Sequence, residues 1–371
     1  MKIVVVMPTY NEAENIQSMI PILLSKFKEI PAHEIHLLVV DGNSPDGTAK
    51  IAQEFARAHS NIHVLLEKEK SGLGAAYIYG FKYAIFELNA DAVIEMDADF
   101  QHDPNDLTRL IVEYDNGYDY VIGSRYLSGI AIPKEWAFYR KFLSVAGNLF
   151  TKVMFGMFNV TDFTSGFKLT SSEILKKIDL NSINSKGFSY KMEILYKAFK
   201  AGAKIKEIPI IFGLRDRGDS KMDSTNAFDS LKLVTLIRMN EHKSFLKFII
   251  VGFGGLFIDS SIFNILRIVL TTSKYSSLTS GLIAMLFTYT MNNFWSFGER
   301  KKTNFKSLFL NFILFSVSSY IPIIFRSYII KYAEIWFGSG FLVANIAFFI
   351  GIAIGLVWNF TVYSRIIWRK K

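Results

Sequence analysis

The chain is 371 residues long, enough for two or three domains, and carries a formal charge of +9. No nucleic-acid motif accompanies that charge and many basic residues flank apolar runs, so the implied partner is an anionic membrane surface, not nucleic acid. Cysteine is absent, which excludes disulfides and thiolate metal sites.

Half of the residues are hydrophobic, unevenly spread: residues 1–243 read as a charged α/β domain and residues 245–368 as a succession of apolar runs. The first run, residues 3–7, is too short for a signal peptide and predicts a buried strand. Pro8-Thr9-Tyr10-Asn11-Glu12 follows, then a helix to residue 27 with Ile16, Ile20, Leu23 and Leu24 at helical spacing. A second strand, 35–40, runs into Asp41-Gly42-Asn43-Ser44-Pro45-Asp46-Gly47-Thr48 and a helix to about residue 58. Strand, polar loop, helix, strand is the rhythm of a doubly wound sheet, which binds ligands at the carboxyl ends of its strands. Tyr10, Glu12, Asp41 and Asn43 lie at two such ends. Asp41, closing a buried strand, suits a base or ribose, whereas Asp46 and Gly47 read as turn chemistry.

Strand 64–66 leads into Glu67-Lys68-Glu69-Lys70-Ser71-Gly72-Leu73-Gly74-Ala75-Ala76. Small residues there let a ligand approach the backbone at a helix start, and Lys70 is within reach of a phosphate. The segment is neither G-x-G-x-x-G nor a Walker A loop, which argues against dehydrogenases and kinases. A helix over 75–88 then precedes Val93-Ile94-Glu95-Met96-Asp97-Ala98-Asp99-Phe100-Gln101-His102. Carboxylates at i and i+2 on an extended strand end share one side. Asp97 and Asp99, with the amide oxygen of Gln101, suit a hard divalent cation that would neutralise a departing diphosphate. His102 is expected at the mouth of the site, not as a ligand.

Strand 120–123 delivers Ser124-Arg125-Tyr126, and Arg125 suits a phosphate or a salt bridge to a nearby acid. Arg140 and Ser144 share one face of an oily helix over 132–158. That helix fits an interfacial position, with an ordinary buried helix as the alternative. Asp162-Phe163-Thr164-Ser165-Gly166-Phe167-Lys168 precedes a lysine-rich helix, and Gly187-Phe188-Ser189-Tyr190-Lys191-Met192-Glu193 starts another that runs to residue 201. Strand 205–212 ends in Arg215-Asp216-Arg217-Gly218-Asp219-Ser220-Lys221, either a solvated loop or a basic loop closing over phosphates. A second interfacial helix is expected over 225–245.

Together these segments resemble the family-2 glycosyltransferases with a GT-A fold, in particular the dolichol-phosphate mannose synthase group. The matching stretches are Met7-Pro8-Thr9-Tyr10-Asn11-Glu12, Val40-Asp41-Gly42-Asn43-Ser44-Pro45-Asp46-Gly47-Thr48, Gly72-Leu73-Gly74-Ala75-Ala76 and Met96-Asp97-Ala98-Asp99. They continue through Gly123-Ser124-Arg125-Tyr126, Thr164-Ser165-Gly166-Phe167-Lys168 and Arg217-Gly218-Asp219-Ser220-Lys221. Gly42 departs from the family, which often has a second Asp after Asp41. The Q-x-x-R-W signature of processive synthases is absent, which favours transfer of a single sugar.

The resemblance implies inverting transfer of mannose from GDP-mannose to a dolichyl or other polyprenyl phosphate. It places Pro8, Tyr10, Glu12, Asp41, Asn43, Lys70, Gly74, Ala75 and Ala98 at the nucleotide sugar. Asp97, Asp99 and Gln101 would hold Mg2+ or Mn2+, and Ser124, Arg125, Arg140, Ser144, Arg217 and Lys221 the acceptor phosphate. Arg125 and Arg217 join the metal ligands as the catalytic set. UDP-glucose as donor, a processive glycan synthase, and a lipid-linked sugar flippase with a substrate-binding soluble part remain alternative readings.

Four apolar stretches, 248–270, 275–297, 308–330 and 341–367, each meet the ~20 residues a bilayer core requires. Arg300, Lys301, Lys302 and Lys306 follow the second, and Arg369, Lys370 and Lys371 the fourth; the other connections carry only Lys274 and Lys331. The positive-inside rule then predicts a multi-pass protein with its catalytic domain and both termini in the cytoplasm. The tail resembles the GtrA-like membrane family, including Asn292-Asn293-Phe294-Trp295-Ser296-Phe297. Asn292, Asn293 and Asn359 are expected to hydrogen-bond between helices, and Asp259 to mark an interhelical or subunit contact. The domain plan is 1–224, 225–245 and 246–371, with homo-oligomers forming through the last part.

Overall fold

A computed structural model describes residues 1–127, 138–183, 185, 187–213, 224–269, 273–338 and 341–369. They form two compact units, Met1–Arg238 and Met239–Lys371.

The first unit is built on a seven-stranded mixed sheet. Its strands are β1 (Lys2–Thr9), β2 (Glu34–Asp41), β3 (Ile62–Leu66), β4 (Ala92–Glu95), β5 (Tyr120–Ser124), β6 (Lys168–Ser171) and β7 (Ile205–Pro209), in the order β3-β2-β1-β4-β6-β5-β7. The first four run parallel; β6 lies antiparallel between β4 and β5. β1 is a nearly unbroken apolar run because both of its faces are covered. Val4 and Val6 enter one core, with α3 (Leu73–Phe86) and α7 (Tyr190–Lys200). Ile3, Val5 and Met7 enter the other, with α1 (Ala13–Lys28) and α4 (Asp106–Asp115). A sheet between two helical layers results.

Four features differ from the sequence reading. The strand expected to end in Asp97 and Asp99 stops at Glu95. α4 was not anticipated, and neither was β6, where Lys168-Leu169-Thr170-Ser171 is wholly buried yet shows no apolar alternation. The lysine-rich helix follows only after β6 and is short, α6 at Ser172–Lys177.

Two helices of this unit present apolar side chains outward. On α5 (Phe138–Phe155), Tyr139, Phe142, Leu149 and Val153 are exposed, Phe142 at 61%, while Phe150 packs on the core. On α8 (Ser224–Glu241), Phe228 and Leu236 are exposed and Val234 is buried.

The second unit consists of α9 (Lys243–Val269), α10 (Ser273–Met291), α11 (Phe305–Phe337) and α12 (Phe341–Val362). Over Lys243–Leu266 and Phe305–Pro322 the helices are long and apolar enough to cross a bilayer, and Ala353–Ile367 is a shorter apolar helix. α10 and α12 each finish in one π turn, Asn292–Ser296 and Tyr363–Ile367. Between those ends Trp368 is fully buried, stacked on Phe297 at 4.8 Å, and donates its indole N–H to Asn293 Oδ1 at 2.8 Å. Arg300 donates to the carbonyls of Ser364 and Trp368. Asn293 therefore ties separate segments together as expected. Asn292 and Asn359 do not, for their buried Oδ1 atoms have no partner among the described residues.

Candidate active site

The chain turns sharply after β4. Phe100 adopts φ +63°, the left-handed region, and this folds the segment back so that Asp99 Oδ1 accepts the Gln101 N–H at 3.2 Å. Asp97 is fixed from two sides. Tyr77 on α3 donates its hydroxyl to Asp97 Oδ1 at 3.2 Å, and the Asp97 N–H donates to His102 Nδ1 at 3.1 Å.

His102 is not at the mouth. It is buried, stacked on Phe167 at 5.1 Å and edge-on to Phe212 at 5.6 Å. Burial drives its pKa down to about 4, so it is a neutral acceptor that holds the Asp97 backbone. Gln101 is anchored through the backbone of Gly213, to whose carbonyl its amide donates and whose N–H its own carbonyl accepts.

No group of three His, Cys, Asp or Glu side chains clusters as metal ligands among the described residues. A divalent cation would therefore have two carboxylates and the Gln101 amide to bind it, a hard oxygen set of the kind that suits such a cation. Beside Asp97 there is a cradle that a side chain would fill. A Cβ on Gly166 would lie 3.1 Å from both Asp97 Oδ2 and His102 Cε1 and would collide with Lys191 Nζ. The donor chemistry and this space fit a metal with open coordination positions.

The nucleotide-side candidates gather at the ends of β1 and β2 and at the start of α3. Lys70 lies over the Tyr10 ring, 3.9 Å from its centre. Asn43 donates to the Lys68 carbonyl, and Glu12 accepts from Asn15 while its N–H donates to Thr48. Asp41 is fully buried. Its oxygens accept from the Thr9 hydroxyl at 2.9 Å and from the Ser44 hydroxyl and N–H at 2.7 and 2.8 Å, so it holds the turn under the site. Asp46 braces the same turn through Ala13 and Thr48, the structural role expected of it. Beside Gly42 stands Glu67, whose Oε2 is 3.4 Å from where a Cβ on that glycine would be. Pro8 lies in β1 opposite Val40 of β2, and Ala98 is buried between the two carboxylates. Gly74 lets α3 approach the Ser185–Tyr190 segment, since a Cβ there would come within 2.5 Å of the Ser185 carbonyl and 2.8 Å of Tyr190 Cβ. Ala75 follows it at half-buried depth.

On the other side, Arg125 is buried and forked onto Asp162, with Nε to Oδ2 and Nη2 to Oδ1 both at 2.8 Å. Nη2 also donates to Thr164 at 2.6 Å. The Arg125 charge keeps the Asp162 carboxyl below its usual range despite burial, so the pair stays ionised. Of the two readings of Arg125, the salt bridge is present. Ser124 hydrogen-bonds Thr161 at 2.8 Å, and Ser144 hydrogen-bonds Tyr126 at 2.6 Å, which brings α5 to the same place. Glu207 accepts from the N–H groups of Thr161 and Asp162 and supports the loop from below. The side chain of Arg140, and Arg217 and Lys221 altogether, lie outside the described residues.

Sequence reasoning missed the supporting shell of Tyr77, Asp162, Glu207, Glu95 and Lys168. Glu95 and Lys168 face each other across β4 and β6, both buried, with Tyr190 donating to Glu95 at 2.5 Å. The only available signal was a charge inside each buried strand.

Glycosyl transferase family 2 matches residues 4–179, and the GtrA/DPMS transmembrane domain matches residues 247–368. A polyprenol monophosphomannose synthase of Mycolicibacterium smegmatis is 36% identical over 228 residues, 61% of this chain and 83% of that protein. An undecaprenyl-phosphate mannosyltransferase of Micrococcus luteus is 39% identical over 223 residues, 60% and 88% of the two chains. A dolichol-phosphate mannosyltransferase of Pyrococcus furiosus is 28% identical over 371 residues, 99% of each. With its paired carboxylates at a strand end of a GT-A mixed sheet, the chain belongs to glycosyl transferase family 2: it is a glycosyltransferase with a C-terminal GtrA/DPMS transmembrane domain.

Proposed function

We propose that the enzyme transfers mannose from GDP-mannose to a polyprenyl phosphate, with inversion, at the cytoplasmic face of a membrane. The observation that carries this is agreement along the whole chain. A dolichol-phosphate mannosyltransferase matches 99% of both lengths, spanning the catalytic and the membrane part alike.

The acceptor is a phosphate monoester whose oxygen is ionised at neutral pH, so no strong general base is needed. The chain's task is to orient the two substrates and to steady the leaving diphosphate. Asp97, Asp99 and Gln101 would hold Mg2+ or Mn2+, which supplies charge neutralisation to the diphosphate when bound. Tyr77 and His102 keep Asp97 oriented for that. Pro8, Tyr10, Glu12, Asp41, Asn43, Gly74, Ala75 and Ala98 would form the nucleotide wall, with Asp41 also bracing its turn, and Lys70 rides on Tyr10 within reach of a phosphate. On the acceptor side, Arg125 presents Nη1, which makes no hydrogen bond to a described residue, while Asp162 holds the rest of the guanidinium. Ser124 and Ser144 stand on that side, and the family resemblance assigns Arg140, Arg217 and Lys221 to the acceptor phosphate as well.

α5 and α8 would rest at the interface and set the height of the cleft, and α9 to α12 would all cross the bilayer.

Purified enzyme given polyprenyl phosphate with GDP-mannose and Mn2+ or Mg2+ should yield GDP and a mannosyl phospholipid whose sugar is released by mild acid. Preference for UDP-glucose, or transfer unaffected by EDTA, would reject the donor or the metal respectively.

A further inference from the structure

We propose that Lys191 is a resident counter-cation of the divalent-metal site and couples metal binding to diphosphate binding. The proposal rests on reading Asp97, Asp99 and Gln101 as metal ligands.

Lys191 lies on the first turn of α7 and is 4% exposed. A buried ammonium is costly unless an opposite charge answers it. Among the described residues two other buried cations lie near the site, and each has an acid of its own. Arg125 is forked onto Asp162, and Lys168 faces Glu95 across the sheet. Lys191 has no such dedicated partner. Its ammonium makes no hydrogen bond or ion pair among the described residues, and its ring contact is with Phe188 at 5.6 Å. What lies across the Gly166 cradle from it is the Asp97 carboxylate.

Its backbone is fixed as well, because Lys168 Nζ donates to the Lys191 carbonyl at 3.2 Å. The ammonium is thus held beside one ligand of the metal site by the strand that also flanks β4. Gly166 keeps that space open, since any side chain there would displace Nζ.

The consequence follows from charge alone. With the site empty, Lys191 offsets the Asp97 charge. A divalent cation placed on Asp97 is then repelled by the ammonium beside it. A diphosphate arriving with the metal reverses the balance, for its oxygens answer both cations. Metal alone is opposed and metal with diphosphate is favoured. By reciprocity, the metal strengthens diphosphate binding by the same factor.

The test is Mn2+ affinity of the full-length protein in detergent, read from the electron paramagnetic resonance signal of free Mn2+, with and without GDP. Without GDP, Lys191→Met and Lys191→Gln should bind Mn2+ about tenfold tighter than the parent. The gain in Mn2+ affinity brought by GDP should shrink by a similar factor. Lys191→Arg, which keeps the charge, should keep both parent values. Unchanged or weaker Mn2+ binding in both neutral variants, with circular dichroism like the parent's, overturns the proposal. A parent protein that binds no Mn2+ in either condition overturns the metal reading itself. That result is distinct from a parent that binds Mn2+ while the neutral variants do not differ from it.

Discussion

As a metal ligand Asp97 would depend on the orientation that Tyr77 and His102 give it, so these residues predict a graded series. Asp99→Ala should abolish transfer, and Asp97→Ala and Gln101→Ala should lower it about a hundredfold or more, with EDTA reproducing the loss. Tyr77→Phe removes only the hydroxyl that fixes Asp97, and a loss of about tenfold in kcat/KM is expected. Normal turnover by Asp99→Ala in EDTA would remove the metal from the mechanism. The buried Glu95 and Lys168 pair makes a different prediction, about stability. Lys168→Met strands a carboxylate that burial already pushes above its usual range, and should cost about 3–5 kcal/mol in denaturant unfolding. Adding Glu95→Leu should recover most of that loss; a double variant no more stable than the single would show that the loss does not come from the stranded carboxylate.

At the scale of elements, legibility in the sequence followed the strength of the apolar pattern. β1 and β2 announce themselves because central parallel strands are apolar on both faces. β6 does not, because a buried lysine, threonine and serine occupy positions that solvent would normally claim. The candidate carboxylates follow from spacing, whereas Tyr77 and Lys191 approach Asp97, and Asp162 meets Arg125, across gaps that no local pattern bridges. α5 was readable as oily but not as to which side chains face outward. With Phe142 and Leu149 exposed, Phe142→Glu with Leu149→Glu should impair transfer to long-chain acceptor in membranes and spare a short-chain acceptor in detergent. Equal loss on both acceptors would assign those side chains to folding instead. Charge at Phe150 is a poorer test, since that ring packs on the core. On the opposite flank, His36 and His63 join β2 to β3 by a 2.8 Å hydrogen bond, with Glu34 on the far nitrogen of His36 and Lys2 beside Glu34. Burial, helped by His36 and Lys2, lowers the His63 pKa, so the unfolded chain takes up that proton first. The contribution is present above about pH 6.5 and declines as pH falls below it. His63→Phe should therefore show a smaller fall in melting temperature between about pH 7.5 and about pH 5.5 than the parent.

Considered as a whole molecule, the chain divides at Arg238 into units with separate cores. A chain ended after residue 243 should fold, bind GDP and retain measurable transfer to a dispersed short-chain acceptor, at lower activity than the full protein. Donor binding without any transfer would place part of the acceptor site in the membrane unit. The inserted antiparallel strand bears on synthesis as well. β5, which carries Ser124 and leads to Arg125, has no neighbour among the four strands made before it; its partners are β6 and β7. As the chain leaves the ribosome, β1 to β4 can pair as they appear, but Tyr120–Ser124 must wait for two later segments. Until then it is an apolar strand with both edges unpaired, the kind of segment that associates with the wrong chain. Nascent chains halted just before residue 168 should be cut by protease around residues 120–124 and protected there once residue 209 has emerged. The donor half of the cleft can thus exist before the half meant for the acceptor.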